Sequence, residues 1–412
     1  MEAHQRLAAF IVRLVAEIDD RVSCQLARIN RDRGLIELKA TWQGIHWLVQ
    51  QQPAQSDALV KIIDISESDM ISNIQLSANL YQTLVYHRIH EEALCTLGGQ
   101  PFGLVMLDYY FEFFHNLGSE QQEMVRLMAE LGEVSLCPVV FGLGSEWTKD
   151  NPSLAFSPDR LERLGGSEEF STFQSIRRKA VSDFLIVTWP RFTLDWNESE
   201  GRSTAPVFLH SGYALLAIVL REYGLYGWFA GMLAWGEGVE GGSVLPGSLS
   251  GDHGYKPVAE IRLSEVLESA YADLGILPLS SAWLDGTAGF FSMPVAGALN
   301  DESRDQPSLP PLLILCRFAH YLKVMIRDRV GRLDTAAECC NFLQQWLDGY
   351  CSHSDISDLS YLAAYPLKWA RMQVSESQVP GRYLASLALF PNLPPGLAKA
   401  ELSIRLQLSS ES

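Results

Sequence analysis

Positive charge is scarce in this 412-residue sequence, where 32 lysines and arginines stand against 49 aspartates and glutamates for a formal net charge of −17. The average surface therefore repels phosphate polymers and anionic lipid heads, which argues against nucleic acid as a general partner. Cysteines are few and poorly spaced for chemistry. The seven (Cys24, Cys95, Cys137, Cys316, Cys339, Cys340 and Cys351) include no CxxC pair, and their odd count suits a reduced compartment better than a disulfide framework. Long apolar runs are missing too. In the first twenty residues the apolar run is short, and Arg13, Glu17, Asp19 and Asp20 interrupt or follow it; the richest later window, 207–235, is broken by His210, Arg221 and Glu222. Neither a signal peptide nor a membrane span is expected, so no direct membrane insertion and a cytoplasmic location follow as expectations. What is present is the make-up of a globular chain, 47% hydrophobic and 20% charged, with material for two or three cores.

Motifs that would carry chemistry are also wanting. The Gly98-Gly99-Gln100-Pro101-Phe102-Gly103 loop has no Lys-Ser/Thr tail and lies between a helical and a strand-like stretch, so it does not open a helix whose amides could hold phosphate. The glycine-rich stretch from Trp235 to Gly242 has no helix after it, as a dinucleotide site needs. In GSLSG (247–251) Leu249 occupies the elbow position where an acyl-transfer enzyme needs serine. Ser250, Asp252 and His253 are neighbours in a loop, whereas a working triad is assembled from separate segments. His87, His90 and Glu91 fall at i, i+3 and i+4 and could share a helix face for a metal, but no further cluster completes a closed site. No enzyme activity and no cofactor are expected.

The order of elements is more informative. Residues 1–31 and 36–51 have helical periodicity, with Leu7, Ile11, Leu14 and Ile18 on one stripe. Strand-like runs at 58–66, 103–111, 136–142 and 184–189 then alternate with helical stretches at 67–96, 119–132 and 168–180, which predicts an α/β fold with a mixed or parallel sheet covered on its faces. Residues 143–160 have loop composition, 208–224 form a helix, and strands follow near 257–263, 275–280 and 287–293. The linker-like 294–311 leads to helices at 311–330 and 335–350 and three strands, a small C-terminal α+β unit. The expected division is a helical region 1–57, a central α/β domain 58–298 and a C-terminal domain 299–412.

One segment is locally distinctive. In PPLLILCRFAHYLKVMIRDRVG (310–331), prolines open and glycine closes an amphipathic helix, and its polar side carries Arg317, His320, Lys323, Arg327 and Arg329 in an otherwise acidic chain. Such a cationic face suits docking by charge complementarity, or else favourable placement of cations toward a helix C-terminus.

The same segment, RFAHYLKVMIRDRVG (317–331), closely resembles a hallmark stretch of the large sheath subunit of type VI secretion systems, the TssC/VipB (ImpC/ImpD) family. LKATWQGIHWLV (38–49), GGQPFGLVMLDYYF (98–111), FSTFQSIRRKAVSDFLIVTWPRF (170–192), VEGG (239–242), the LGILPL run (274–279), LQQWLDGY (343–350) and YPLKWARMQV (365–374) resemble further family motifs in the same order. The resemblance implies a phage-tail-sheath-like large subunit and a structural role. Such subunits pair with a small sheath partner (TssB/VipA), stack with copies of themselves into a tube around an inner Hcp tube, and contract. A ClpV-like AAA+ motor and a baseplate are further implied partners, and Arg317, Lys323, Arg327, Arg329 and Glu240 are the candidate interaction residues.

The sequence departs from the family pattern in places. It resembles a divergent, N-terminally short member that begins without the extended arm that pairs with neighbouring protomers. Gln43, Val258-Ala259 and Asn392-Leu393 also replace usual family residues. The alternatives are an accessory or capping paralogue that binds sheath components without building a full sheath, and a metal- or nucleotide-binding enzyme using residues 235–256 or the His87–Glu92 cluster.

Overall fold

The computed structural model describes the chain except residues 1, 55, 114–116, 145–156, 168–169, 197–206, 230, 233–240, 249–254, 282–286, 298–307, 328–334, 355, 357, 377–381, 394–401 and 410–412. It opens with helices α1 (Glu2–Asn30) and α2 (Arg33–Gln50). The break between them is set by Asp32, whose carboxylate accepts from the Leu35 N–H at 3.1 Å and satisfies an orphan donor at the start of α2.

Residues 58–66, expected as a strand, pair with no other strand among the described residues. Their Val/Ile content suits a strand, but a strand also needs a neighbouring backbone to complete its ladder. The expected helix over 67–96 is interrupted. It divides into α3 (Glu67–Leu76), a 3₁₀ turn (Leu80–Gln82) and α4 (Leu84–Tyr86), which runs on as a π-helix (His87–Cys95). Polar side chains compete with the helical backbone at the break: the Asn73 carboxamide oxygen accepts from the Leu84 N–H, and the Thr83 hydroxyl accepts from the Tyr86 N–H.

Strand β1 (Val105–Phe111), helix α5 (Ser119–Ser135) and strand β2 (Val139–Leu143) follow the expected alternation. Next come α6 (Pro158–Gly165), α7 (Ser171–Arg177) and β3 (Leu185–Trp189). Helix α6 lies partly in a stretch with loop composition because it opens on a proline, which a first helical turn tolerates. Strands β4 (Phe192–Trp196), β5 (Phe208–Leu209) and β6 (Tyr255–Ala259) form a small antiparallel sheet in the order β5-β4-β6, with α8 (Ser211–Tyr226) between β5 and β6 in sequence. Helix α9 (Glu265–Asp273) was not foreseen. It is capped by Ser264, whose hydroxyl accepts from the Leu267 N–H, and leads into β7 (Ile276–Pro278) and the β8 (Ser280–Ser281)–β9 (Ala288–Gly289) pair.

The central sheet is parallel, in the order β1-β2-β3-β7. One face packs on α3, α5, α6, α7 and α9 through Met70, Met128, Leu161, Phe173 and Tyr271. The other packs on α2 and α8 through Trp47, Leu48 and Ile218. This second cluster continues into α10 (Leu309–Arg327) and α11 (Ala336–Asp348). It ends in the antiparallel meander of β10 (Leu367–Glu376), β11 (Arg382–Pro391) and β12 (Leu402–Ser409), with α12 (Leu359–Ala364) before β10. Among the described residues α10 is the one helix long and apolar enough to cross a membrane, yet 72% of its apolar window is buried within the fold. Packing against α8, α11 and the meander accounts for its apolar character.

Candidate assembly interface

Helix α1 exposes Leu7, Ile11, Leu14, Ile18, Val22, Leu26 and Ile29. Steps of three and four place all seven on one stripe of the helix, about 33 Å long at 1.5 Å per residue. Scattered surface leucines are ordinary, but a continuous seam marks a contact surface. Helix α2 adds exposed Leu38, Trp42 and Val49 while burying Gly44, Trp47 and Leu48 on its other side. The periodicity of Leu7 to Ile18 was legible in the sequence. That the stripe faces outward was not, because an amphipathic pattern is the same whether its partner lies in the same chain or another.

The cations of α10 are tied inside the chain. Arg317 donates to the hydroxyls of Tyr321 (3.0 Å) and Tyr223 (3.1 Å), with its guanidinium 4.6 and 5.6 Å from their ring centroids. Lys323 reaches the Val134 carbonyl at 3.5 Å, and burial lowers its pKa, partly offset by Cys95. Arg327 donates to the carbonyls of Leu94 (3.1 Å) and Thr96 (2.7 Å), at the end of the π-helix. These bonds join α10 to α8, α5 and the π-helix. Arg329 and Glu240 lie outside the described residues.

A buried ion pair organises the glycine-rich region. Arg221 meets Glu222 at 3.2 Å and donates to the carbonyls of Gly242 (2.5 Å) and Val244 (2.7 Å), while Glu222 accepts from the Gly242 N–H at 3.0 Å. Burial raises the pKa of Glu222, and Arg221 opposes that shift. In the sequence these residues only interrupted an apolar run; in the fold they hold residues 242–244 in place.

Among the described residues His87 and His90 do not share a face. The helix carrying His87 and His90 is a π-helix, which turns less per residue, so positions i and i+3 diverge. His87 meets Glu91 at 2.5 Å on the surface, whereas His90 is buried against Tyr86 and Ser135. No group of three His, Cys, Asp or Glu residues among those described is placed to hold a metal. Gly98 takes φ +76° in a turn closed by the Gly99 N–H on the Thr96 carbonyl, as a helix end requires. Residues 249–254, with Ser250, Asp252 and His253, lie outside the described residues, as do Gly236 and Gly238.

A model of the EvpB/VC_A0108 tail sheath N-terminal domain matches residues 12–296, and one of the EvpB/VC_A0108 tail sheath gpW/gp25-like domain matches residues 299–411. The type VI secretion system sheath protein TssC1 of Pseudomonas aeruginosa is 25% identical over 427 residues, covering 92% of this chain and 82% of that protein. Among solved structures, a sheath tail protein of Desulfitobacterium hafniense is similar with a TM-score of 0.37 at 10% identity, over 71% of this chain and 61% of that one. A sheath tail protein of Listeria innocua is similar with a TM-score of 0.37 at 11% identity, over 72% and 61%. This chain therefore spans about three fifths of each of those two sheath tail proteins.

The two domain matches set the class, that of contractile tail sheath proteins. Within it, the chain belongs to the EvpB/VC_A0108 tail sheath family, the large sheath subunits of type VI secretion systems.

Proposed function

We propose that this subunit works by pairing with a small TssB/VipA-like sheath subunit and stacking with copies of itself around an Hcp-like inner tube, with no catalytic step of its own. The observation that carries this reading is the unpartnered apolar seam of α1, a surface shaped to be covered by another chain. On this reading residues 1–57 are the docking arm, 58–298 the sheath body and 299–412 a second sheath domain, all working in the cytoplasm. Glu240 and Arg329 are charged contacts offered to neighbouring subunits. A ClpV-like motor and the baseplate engage the assembled tube.

Co-expression of the chain with a small TssB/VipA-like sheath subunit, followed by size exclusion and electron microscopy, tests the proposal. The expected result is co-elution and tubes. Separation of the two chains at every salt concentration overturns the pairing, and finite complexes without tubes point instead to an accessory or capping role.

A further inference from the structure

An open groove of about 730 Å³ runs between α5 on one side and α3 with the 3₁₀ turn after it on the other. Its floor is apolar: Ile74, Leu80 and Leu127 are buried beneath it. Tyr81 lies exposed at its edge, and Leu76, between two residues that line it, is 88% exposed. Glutamates crowd the α5 side. Glu120, Glu123, Glu130 and Glu133 recur at steps of three and seven, which keeps them on one stripe of the helix with Leu127 among them. From Glu120 to Val134 that stripe is about 21 Å long at 1.5 Å per residue.

The cations inside the chain are too few for these acids. Arg126 bridges Glu123 and Glu130. Its hydrogen bond lowers the pKa of Glu123 against burial, and the charges of Arg126 and Lys179 add to that shift. Glu120 accepts from the neutral Gln75 carboxamide at 2.7 Å. The Glu133 carboxylate meets no donor among the described residues, and burial, with Glu130 beside it, raises its pKa. Nor does the groove offer free backbone to a visiting strand. Between α3 and the 3₁₀ turn, the Ser77 N–H is taken by the Ile74 carbonyl and the Ala78 N–H by the Gln82 carboxamide, while the Asn79 carbonyl accepts from the Gln82 N–H. Recognition here falls to side chains, as when a helix lies in a groove.

The geometry points to this groove as the docking site of one basic amphipathic helix carried by a protein other than this chain. The length of the α5 stripe sets the contact at about fourteen residues of that helix. Its aliphatic side chains cover Ile74, Leu80 and Leu127, and its lysines or arginines meet Glu120 and Glu133 at the two ends. A second copy of this chain, at −17, is repelled by the same acids and makes a poor occupant. The inference stands apart from the pairing proposed above.

A labelled synthetic helix of about fourteen residues, with leucines on one stripe and lysines beside it, titrated with the full chain by fluorescence anisotropy, tests the site. A scrambled peptide of the same composition keeps the charge and loses the stripe. The ordered peptide should bind at least about tenfold more tightly than the scrambled one, and Glu120→Lys or Glu133→Lys should each weaken it by about tenfold or more. Asp20→Lys, the same charge change on α1, should leave binding unaltered. Glu133→Gln serves if the lysine variant misfolds. Failure of the ordered peptide to bind, equal binding of the two peptides, or binding indifferent to both glutamates overturns the proposal. Hydrogen exchange at residues 77–82 separates the other occupants. Slowing that grows with the concentration of the chain alone reveals a second copy in the groove, and slowing in a complex with a small sheath subunit reveals that subunit; either overturns the proposal, the latter leaving the pairing standing.

Discussion

His90 and His320 meet across Ser135: the ring of His320 donates from Nε2 to the Ser135 carbonyl at 2.8 Å, and Nδ1 of His90 lies 3.3 Å from the Ser135 hydroxyl. A carbonyl can only accept, so the His320 proton sits on Nε2 and leaves Nδ1 bare. Both rings are buried where α10 crosses α5 and the π-helix. Burial is the main cause that lowers both to about 4. Lys323 adds to the shift at His90; at His320 the Ser135 carbonyl opposes it, while Arg317, Lys323 and His90 reinforce it.

Acid should therefore loosen this junction. Unfolded histidines take up protons near pH 6.5 while the buried ones do not, so the contribution is complete above about pH 6.5 and is lost as pH falls toward 4. The expected loss is about 2 kcal/mol per histidine at pH 5. Chemical denaturation at pH 7 and pH 5 measures it, and the double substitution His90→Gln with His320→Gln should flatten the dependence. An unchanged slope in that variant would place the acid sensitivity elsewhere.

Glu268 has the opposite sign. It is buried, and burial raises its pKa to about 7 against the opposing hydrogen bonds from the Ser292 backbone and from the Ser292 hydroxyl, the latter at 3.4 Å. The unfolded carboxyl ionises more readily, so this group costs stability increasingly as pH rises from about 4.5 to 7 and costs it fully above. Glu268→Gln should stabilise the chain by up to about 3 kcal/mol at pH 8 and by less than about 1 kcal/mol at pH 5. Equal gains at both pH values would show that the substitution acts through packing.

Much of the architecture was legible in the sequence because alternation of strand and helix is written in local periodicity. LVMLDYY, FLIVTW and the helix opened by Pro310 and Pro311 all fall where expected, the helix being described from Leu309 to Arg327. Failures occurred where a long-range partner decides. The aliphatic run at 58–66 reads as a strand by composition, yet among the described residues no strand completes its ladder. On α10 the periodicity put Arg317, Lys323 and Arg327 on one side of the helix, and the fold adds that each also finds a phenol or a carbonyl from a distant part of the sequence. Periodicity tells which residues share a face and not what that face meets.

Gly44 shows how closely α2 is seated. A Cβ there would lie 2.5 Å from the Tyr213 ring, whose hydroxyl, together with that of Thr41, donates to the Asp108 carboxylate on β1. Neither the ring nor the helix can retreat without breaking that pair of bonds. Gly44→Ala should cost about 1–3 kcal/mol despite its better helix propensity. Thermal or urea unfolding decides, and a neutral result would mean that α2 is free to shift.

The seam of α1 allows a cleaner separation of folding from assembly. Ile11 and Ile18 lie outside the buried core, so replacing either by Asp should change the stability of the isolated chain by no more than about 0.5 kcal/mol. In a complex that covers the stripe, the same carboxylate is buried without a partner, a cost of several kcal/mol. Ile11→Asp and Ile18→Asp should therefore weaken pairing with the small sheath subunit by about a hundredfold, which is about 2.7 kcal/mol. Asp20, on the opposite side of the helix by its spacing, supplies the control: Asp20→Lys should leave pairing unaltered. Equal effects from both faces would show general electrostatic attraction, whereas an effect confined to the isoleucines identifies the stripe as the contact.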